Sequence, residues 1–295
     1  RVVGVVFNFV ASVAHYAYLQ QACVDAGVEA LGYIPKDESI VIPSRHLGLS
    51  IDETFCFDAF ADRVAEVIDK TVNVDRLLEL CTVEFSGEQT EGVICSGNRK
   101  IAIARDEAFN FMYRENVEAL KRAGEVVFFS PLHDKRLPDA DLVYFPGGYP
   151  ELYLPELAAN EGMRQAVRKY CETGGRVLAE CGGMMYLCDT ITSDDGKVYP
   201  MAGVLKQGAT MEQMKLKLGY REVRVNGQRI RGHEFHYSRI LPGHEKIPVI
   251  GTIYNAKDMV VDTPVYTYKN VLASYIHFYW GECGIDHFLM LMSQK

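Results

Sequence analysis

The sequence predicts an α/β fold: a doubly wound, mostly parallel sheet preceded by a smaller, partial α/β domain. Two observations predict this fold class. Short apolar runs, which suit buried parallel strands, alternate with stretches of helical spacing. A segment rich in Gly, Ser and Glu, residues 85–99, separates two groups of such elements and is the best linker candidate. We therefore expect one domain at 1–84 and a second at 100–295.

The elements before the linker form only part of a sheet, because the first strand has no strand before it to pair with. Gly27 suits the end of the first helix, and Pro35 ends the second strand. In chain order the pattern predicts a strand at 2–10, a helix at His15–Ala26, a strand at Val28–Ile34 and one long or two shorter helices at Asp52–Val72.

The elements after the linker alternate between strand and helix, which predicts a doubly wound parallel sheet. From Gly219 onward the pattern becomes rich in strands. The predicted elements are strands at Ile101–Ala104, Val126–Phe129 and Leu142–Phe145, helices at Glu115–Ala123 and Gly162–Thr173, and later strands at Tyr220–Val225, Val249–Tyr254, Val265–Tyr268 and Leu272–Tyr275.

Charge, hydropathy and cysteine spacing indicate which partners and which cellular location to expect. The net charge of −8 argues against nucleic acid and anionic membranes as partners. No apolar run reaches the roughly 18 residues that span a bilayer, and no signal peptide is recognisable, so we expect a cytoplasmic protein. The eight cysteines form no C-x-x-C pair and no Cys/His cluster with zinc spacing, which predicts scattered free thiols and no bound metal.

The run from Gly174 to Met185 places one cysteine on a sharp turn between a strand and a helix. Gly182 and Gly183 follow Cys181, and small residues allow the tight bend and the close approach of a substrate. A thiol at a helix N-terminus has a lowered pKa, and the free N–H groups there can hold an oxyanion. The run therefore predicts a nucleophile elbow that carries cysteine.

A nucleophilic thiol needs a base, and His277 is the best placed of the eight histidines. It follows the apolar run 271–276, and loops at strand ends are where α/β sheets build sites. Gly147 and Gly148 close another strand, so their loop is a candidate for the second oxyanion N–H group, beside that of Gly182.

The segment Arg231–Ser238 concentrates titratable side chains. Alternation along a strand places Glu234 and His236 on one face, where they would orient His277 or line a pocket. The alternative is a solvated polar strand, since charges on exposed strand faces are common.

Five segments, taken in order, resemble the cobyrinic acid a,c-diamide synthase family. That family carries a class I glutamine amidotransferase domain after an ATP-using domain similar to dethiobiotin synthetase. Residues 3–8 and 43–49 look like the second half of that ATP-using domain, with Asn8 and Arg45 as the implied cofactor-binding residues. The five segments are Ala104–Phe109, Phe145–Glu151, Ala179–Gly183, Arg231–Ser238 and Ala273–His277.

The resemblance implies a mechanism and partners. Cys181 attacks the side-chain amide of glutamine and His277 shuttles the proton, giving a thioester and ammonia. N–H groups near Gly148 and Gly182 hold the oxyanion. The ammonia then amidates the a and c acetate side chains of a corrinoid ring, each activated as an acyl phosphate with ATP and Mg²⁺. A homodimer is a further prediction.

The sequence departs from the family pattern at three places. It contains no G-x-x-x-x-G-K-[ST] phosphate loop, so we expect a C-terminal fragment that cannot complete the ATP-dependent step alone. Phe9 and Ala14 stand where the family usually has Arg. Tyr279 stands where many class I amidotransferases place Glu, which leaves a Cys-His dyad or Glu234 as the orienting acid.

Three alternatives stay open on the sequence. A nickel-sirohydrochlorin a,c-diamide synthase would use the same motifs on another ring. A hydrolase would use the elbow without an ammonia acceptor, although the partial first domain argues against it. A corrinoid- or partner-binding module would carry an inactive site, although the presence of both Cys181 and His277 argues against that.

Overall fold

A computed structural model of the chain describes residues 2–42, 44–45, 48–49, 56–84, 98–281 and 285, with only the main chain of 44–45 and 48–49. The chain divides into two compact units, residues 1–91 and 92–295. This division falls inside the segment 85–99, of which residues 85–97 lie outside the described residues.

The described residues of the first unit form a parallel pair of strands, three α-helices and a short hairpin. The first helix begins two residues earlier than predicted because the Ser12 hydroxyl caps it by accepting the N–H of His15, and it ends at Gly27 in the left-handed region. The elements are β1 (Gly4–Val10), α1 (Val13–Ala26), β2 (Glu29–Pro35), β3 (Ser44–Arg45), β4 (Gly48–Leu49), α2 (Phe57–Thr71) and α3 (Val74–Cys81).

The main sheet of the second unit confirms the predicted doubly wound, mostly parallel architecture. Its order is β16-β17-β8-β7-β5-β6, and all neighbours are parallel except the β16–β17 pair at one edge. The strands are β5 (Arg99–Ala104), β6 (Gly124–Phe129), β7 (Leu142–Phe145), β8 (Arg176–Glu180), β16 (Val265–Tyr268) and β17 (Val271–Ser274).

Helices cover both faces of this sheet, which is why its strands are apolar throughout. Alternate residues of β5 enter two separate cores. Ala102 and Ala104 pack with side chains of α6 and α7, whereas Ile101 and Ile103 pack with those of α4. The described part of the second unit contains the helices α4 (Arg114–Ala123), α5 (Leu154–Ala159), α6 (Glu161–Glu172) and α7 (Gly182–Leu187).

Two further sheets occupy the strand-rich part of the chain. One has the order β10-β9-β11-β14 and the other β15-β12-β13-β18. The strands are β9 (Cys188–Thr192), β10 (Val198–Pro200), β11 (Leu205–Thr210), β12 (Lys217–Val225), β13 (Gln228–His236), β14 (Arg239–Leu241), β15 (Thr252–Asn255) and β18 (Ile276–Phe278). No helix among the described residues is long and apolar enough to cross a membrane.

One prediction about the site strand was wrong. The apolar run 271–276 is not a single strand, because β17 ends at Ser274 and the chain then changes sheet. The Ser274 hydroxyl stabilises this bend by accepting the N–H of Ile276 at 3.1 Å and donating to the carbonyl of Pro264 at 2.9 Å. His277 therefore lies within β18, paired with β13, and not in a loop at a strand end.

Candidate active site

Cys181 lies at the sharp turn between β8 and α7, as the sequence predicts. Its φ of 48° and ψ of −109° are strained for a residue with a side chain, at an energy of about 1–3 kcal/mol. Two main-chain hydrogen bonds stabilise this conformation. The Cys181 N–H donates to the Ser274 carbonyl at 2.7 Å, and the Cys181 carbonyl accepts the N–H of Met185 at 3.0 Å. A Cβ on Gly182 would stand only 2.7 Å from Pro150 Cδ, so this position requires glycine.

The environment of the thiol contradicts the lowered pKa that the sequence suggested. Cys181 is only 7% exposed, and its Sγ donates to the carbonyl of Phe235 at 3.9 Å. Burial raises the pKa of Cys181 well above its ordinary value, and the nearby carboxylate of Glu151 raises it further, while the Gly182 N–H lowers it only partly. The resting cysteine is therefore a neutral thiol.

The glycine loop after β7 lies between the elbow and His277. A Cβ on Gly147 would collide with Cε1 of the His277 ring, and a Cβ on Gly182 would come within 2.9 Å of the Gly148 carbonyl oxygen. Main-chain hydrogen bonds to residues 108–111 hold the loop in place. The Gly147 carbonyl accepts the N–H of Phe111 at 3.0 Å, and the Tyr149 N–H donates to the Ala108 carbonyl at 2.9 Å. The structure thus brings Gly147, Gly148, Gly182 and His277 to the edge of the sheet that carries Cys181.

His277 is buried, 4% exposed, and stands opposite His233 across the β18–β13 pair. The two rings stack with centroids 4.8 Å apart, and Phe111 contacts the His277 ring edge-on at 4.6 Å. Nδ1 of His277 is buried without a hydrogen-bond partner. Burial, together with the neighbouring His233 and His236, lowers the pKa of His277 to about 3, so its imidazole is neutral near pH 7.

Glu234 and His236 share a face of β13, as predicted, but the structure does not bring Glu234 to His277. The pairing of β13 with β18 sets His233 opposite His277 and Glu234 opposite Ile276, so strand alternation turns Glu234 to the other face. Glu234 is fully buried and accepts hydrogen bonds from three side chains: Arg221 at 2.7 Å, Thr263 at 2.8 Å and His236 at 2.8 Å.

These partners keep Glu234 ionised. Burial by itself would raise its pKa, but the hydrogen bonds from His236 and Thr263 and the charge of Lys217 outweigh burial and lower the pKa of Glu234 to about 2. Lys217 Nζ lies 3.5 Å from the carboxylate. Glu234 is therefore the anionic centre of a buried polar network, and an orienting role toward His277 has no contact to support it.

Both ring nitrogens of His236 face acceptors. Nδ1 lies 2.7 Å from the Ser238 carbonyl and Nε2 lies 2.8 Å from the Glu234 carboxylate. The imidazole ring is therefore held between a main-chain carbonyl and a buried carboxylate. The His236 ring stacks on the Tyr275 ring, with centroids 3.6 Å apart. His236 also lines a cavity of about 500 Å³, together with Lys215 and Lys217. His236 thus has a position suited to the predicted substrate-binding role.

The two residues singled out in the first unit have few described contacts. Asn8 is exposed on β1, and its Oδ1 accepts the N–H of Phe9 at 2.9 Å. Phe9 itself has a φ of 59° and is 65% exposed. Arg45 lies in β3 opposite Gly48, and its side chain is outside the described part of the chain. Their predicted cofactor role stays a prediction.

Residues 100–283 match the family model of the CobB/CobQ-like glutamine amidotransferase domain. The chain belongs to this family. It is 34% identical over 295 residues to cobyrinate a,c-diamide synthase of Salmonella typhimurium, a match that covers 95% of this chain and 64% of the relative. It is 36% identical over 283 residues to hydrogenobyrinate a,c-diamide synthase of Pseudomonas aeruginosa, covering 94% of this chain and 62% of the relative. The resemblance based on the motifs is thus confirmed.

The chain spans a little less than two thirds of the length of these two relatives. Among solved structures, a glutamine amidotransferase covers 66% of this chain and 99% of that chain, at 22% identity and a TM-score of 0.44.

Sequence reasoning missed one buried carboxyl group of this CobB/CobQ-like domain. Glu180, 1% exposed, immediately precedes Cys181 and accepts hydrogen bonds from the Tyr144 hydroxyl at 2.8 Å and the Phe278 N–H at 3.2 Å. Burial raises the pKa of Glu180 to about 8. A single carboxylate at the end of the apolar run Val177–Ala179 is the signal that could have identified it.

The described residues include no group of three or more His, Cys, Asp or Glu side chains that could hold a metal ion. The sequence contains no G-x-x-x-x-G-K-[ST] phosphate loop.

Proposed function

We propose that this chain hydrolyses glutamine at Cys181, and that the whole protein uses the ammonia for ATP-dependent amidation of the a and c acetate side chains of cobyrinic acid. The observation that carries the proposal is the strained Cys181 elbow, which adjoins a glycine loop packed directly against His277. The relative named cobyrinate a,c-diamide synthase supports the choice of ring.

The chemistry starts from a neutral thiol and a neutral imidazole. Cys181 Sγ attacks the side-chain amide carbon of glutamine while its proton passes to His277. Main-chain N–H groups at Gly148 and Gly182 stabilise the oxyanion of the tetrahedral intermediate. The protonated His277 then donates its proton to the departing nitrogen, which leaves as ammonia. A thioester remains on Cys181.

The second half-reaction regenerates the site. His277 takes a proton from water while the water oxygen bonds to the thioester carbon. The carbon–sulfur bond then breaks. Glutamate leaves, and His277 returns the proton to the thiolate of Cys181. His236 lines the neighbouring cavity together with Lys215 and Lys217, whose positive charges suit the α-carboxylate of glutamine.

The ring-amidating step belongs to the proposed reaction of the whole protein. ATP with Mg²⁺ activates a ring carboxylate as an acyl phosphate, which ammonia converts to an amide. In this proposal residues 1–84 belong to the ATP-using domain, with Asn8 and Arg45 on its cofactor side, and residues 100–295 to the glutaminase. A cytoplasmic location agrees with free thiols such as Cys171 and Cys188. A homodimer remains a prediction, which sedimentation velocity tests.

A metal-free ring is the second candidate substrate. The relative named hydrogenobyrinate a,c-diamide synthase is 36% identical to this chain, which is as similar as the cobyrinate enzymes. Amide formation on cobyrinic acid, hydrogenobyrinic acid and nickel-sirohydrochlorin, compared with the full-length protein, separates these rings.

A diazoketone analogue of glutamine tests the glutaminase directly. We expect it to alkylate Cys181, detected by mass spectrometry of the peptide, and we expect Cys181→Ser to abolish both labelling and glutamate release. Cys188→Ser is the matched control, because Cys188 is also a buried free thiol of this unit but lies outside the elbow. Labelling of the Cys181→Ser protein, or no label on Cys181 of the wild type, would contradict the proposal.

A further inference from the structure

Buried side chains hold the main chain of Phe278 from both sides. Glu180 accepts its N–H at 3.2 Å, and Asn116 Nδ2 donates to its carbonyl at 2.7 Å. The same Asn116 accepts the N–H of Trp280 at 2.9 Å through Oδ1. We call Glu180 and Asn116 the Phe278 clamp. Both are almost completely buried, at 1% and 0% exposure, and Phe278 is the residue that follows His277.

A further hydrogen bond, from Tyr144, fixes the Glu180 side of the clamp. The Tyr144 hydroxyl donates to the second oxygen of Glu180 at 2.8 Å, and Tyr144 is fully buried in β7. Glu180 is the last residue of β8, and Asn116 is in the first turns of α4. Side chains of β8 and α4 therefore bind the main chain of one residue of β18, which belongs to a different sheet, and β7 supports one of those side chains.

His277 needs such support, because the described residues offer no hydrogen-bond partner to one nitrogen of its ring. Nδ1 is buried without a hydrogen-bond partner, and Tyr279 occupies the position where a carboxylate two residues after the histidine would stand. Contacts with Gly147, His233 and Phe111 fix the plane of the ring only while the main chain of β18 stays in place. A displaced β18 would move the ring out of the gap beside Gly147.

We propose that the Phe278 clamp positions His277, and that Glu180 and Asn116 thereby supply through the main chain the orientation that no carboxylate of the described residues gives to its ring. Both are positioning residues, since neither touches the reacting atoms. The proposal rests on the proposed glutaminase function. It assigns Glu180 the role of a hydrogen-bond acceptor and not of a charge, so an uncharged acceptor should serve equally well.

The test compares four variants of the full-length protein. Glu180→Leu and Asn116→Ala remove the acceptor and the donor of the clamp. Glu180→Gln keeps an acceptor oxygen for the Phe278 N–H. Asn160→Ala is the matched control, because Asn160 is another buried asparagine that donates to main-chain carbonyls, those of Pro131 and Asp134, away from His277.

Two readouts are measured: kcat and KM for glutamate release, and the imidazole ¹H–¹⁵N shifts of His277 at pH 7. We expect Glu180→Leu and Asn116→Ala to lower kcat about 10- to 100-fold, since small displacements of a reacting group have effects of that size, with KM changed less than about threefold. Both variants should also shift the His277 signals. Glu180→Gln and Asn160→Ala should match the wild type in both readouts.

Two results would overturn the clamp. One is a Glu180→Gln protein as impaired as Glu180→Leu, which would mean that the charge matters. The other is an Asn116→Ala protein indistinguishable from Asn160→Ala, with His277 shifts unchanged. If Glu180→Leu does not fold, Asn116→Ala decides the question alone. A folded wild type that releases no glutamate contradicts the proposed function instead, and the His277 shifts still decide the clamp.

Discussion

Gly147 is the single residue on which the position of the His277 ring depends most directly. A methyl group there would collide with Cε1 and approach Nδ1 of the ring. We expect Gly147→Ala to lower kcat for glutamate release at least about 100-fold, because the ring must leave the gap that the glycine provides. Steady-state kinetics of the full-length protein measure this effect, and circular dichroism checks that the fold persists.

Gly162→Ala provides the control for that substitution. Gly162 lies in α6, where an added Cβ would meet only the Lys135 carbonyl at 3.4 Å, so alanine fits and should stabilise the helix by about 0.5–1 kcal/mol. Its activity should equal that of the wild type. Equal activity of the two alanine variants would show that the ring tolerates displacement.

Residue types with a strong local requirement were predictable from the sequence. Cys181 and Gly182 can be recognised in the sequence because a strained turn tolerates so few side chains. Gly147 and Gly148 can be recognised because they form a glycine pair directly after an apolar strand. The protonation states were not predictable, since the pKa values of Cys181 and His277 depend on burial by residues far along the chain. Glu180 and Asn116 were missed for the same reason: their partner, Phe278, lies over 90 residues away in the sequence.

At the scale of elements, β13 supplies different chemistry from its two faces. His233 stacks on the His277 ring, whereas Glu234 and His236 form the buried ionic network with Arg221. Alternation along a strand was enough to predict which residues share a face. It could not predict that β18 would leave the parallel sheet to pair with β13, because a bend at Ser274 to Tyr275 is a matter of long-range packing.

The network on β13 should make a large contribution to stability. Glu234→Gln leaves the buried guanidinium of Arg221 without its anion and removes the carboxylate partner of His236, which should lower the free energy of unfolding by about 3–5 kcal/mol. Glu222→Gln is the control, because Glu222 of β12 pairs with the more exposed Arg224 and Arg229 and should lose less than about 1 kcal/mol. Urea denaturation measures both, and equal losses would contradict the difference.

At the scale of the whole molecule, two buried carboxyl groups make stability depend on pH in opposite directions. The pKa of Glu234 is lowered to about 2 from 4.5, so its contribution is complete above pH 4.5 and is lost as the pH falls toward 2. The pKa of Glu180 is raised to about 8 from 4.5, so its contribution is complete below pH 4.5 and is lost as the pH rises to 8.

We therefore expect Glu180→Gln to flatten the loss of stability between pH 4.5 and 8, by at most about 5 kcal/mol, and to leave the acid limb unchanged. Glu234→Gln should do the reverse. The single tryptophan, Trp280, is buried in the second unit, so its fluorescence in urea titrations from pH 3 to 9 follows the relevant unit. Parallel pH profiles of the wild type and Glu180→Gln would contradict the raised pKa.

The strands of the second unit show which elements composition and periodicity can predict. Alternating strands and helices predicted the main sheet correctly, since buried parallel strands have an apolar pattern that local sequence reveals. The strands β9 to β11 were not predicted, because they are short, carry polar residues on one side and depend on pairing between distant segments.

The raised pKa of the Cys181 thiol has a consequence for the chemical durability of the protein. Thiolates react with peroxides and other electrophiles far faster than thiols do. The first step of oxidation to sulfenic acid is the attack of a thiolate on a peroxide. A buried neutral thiol beside a neutral imidazole offers them almost no thiolate. In the proposed reaction the Cys181 thiol is therefore protected against oxidation in the free protein, and it becomes reactive only when it passes its proton to His277 during the attack on bound glutamine.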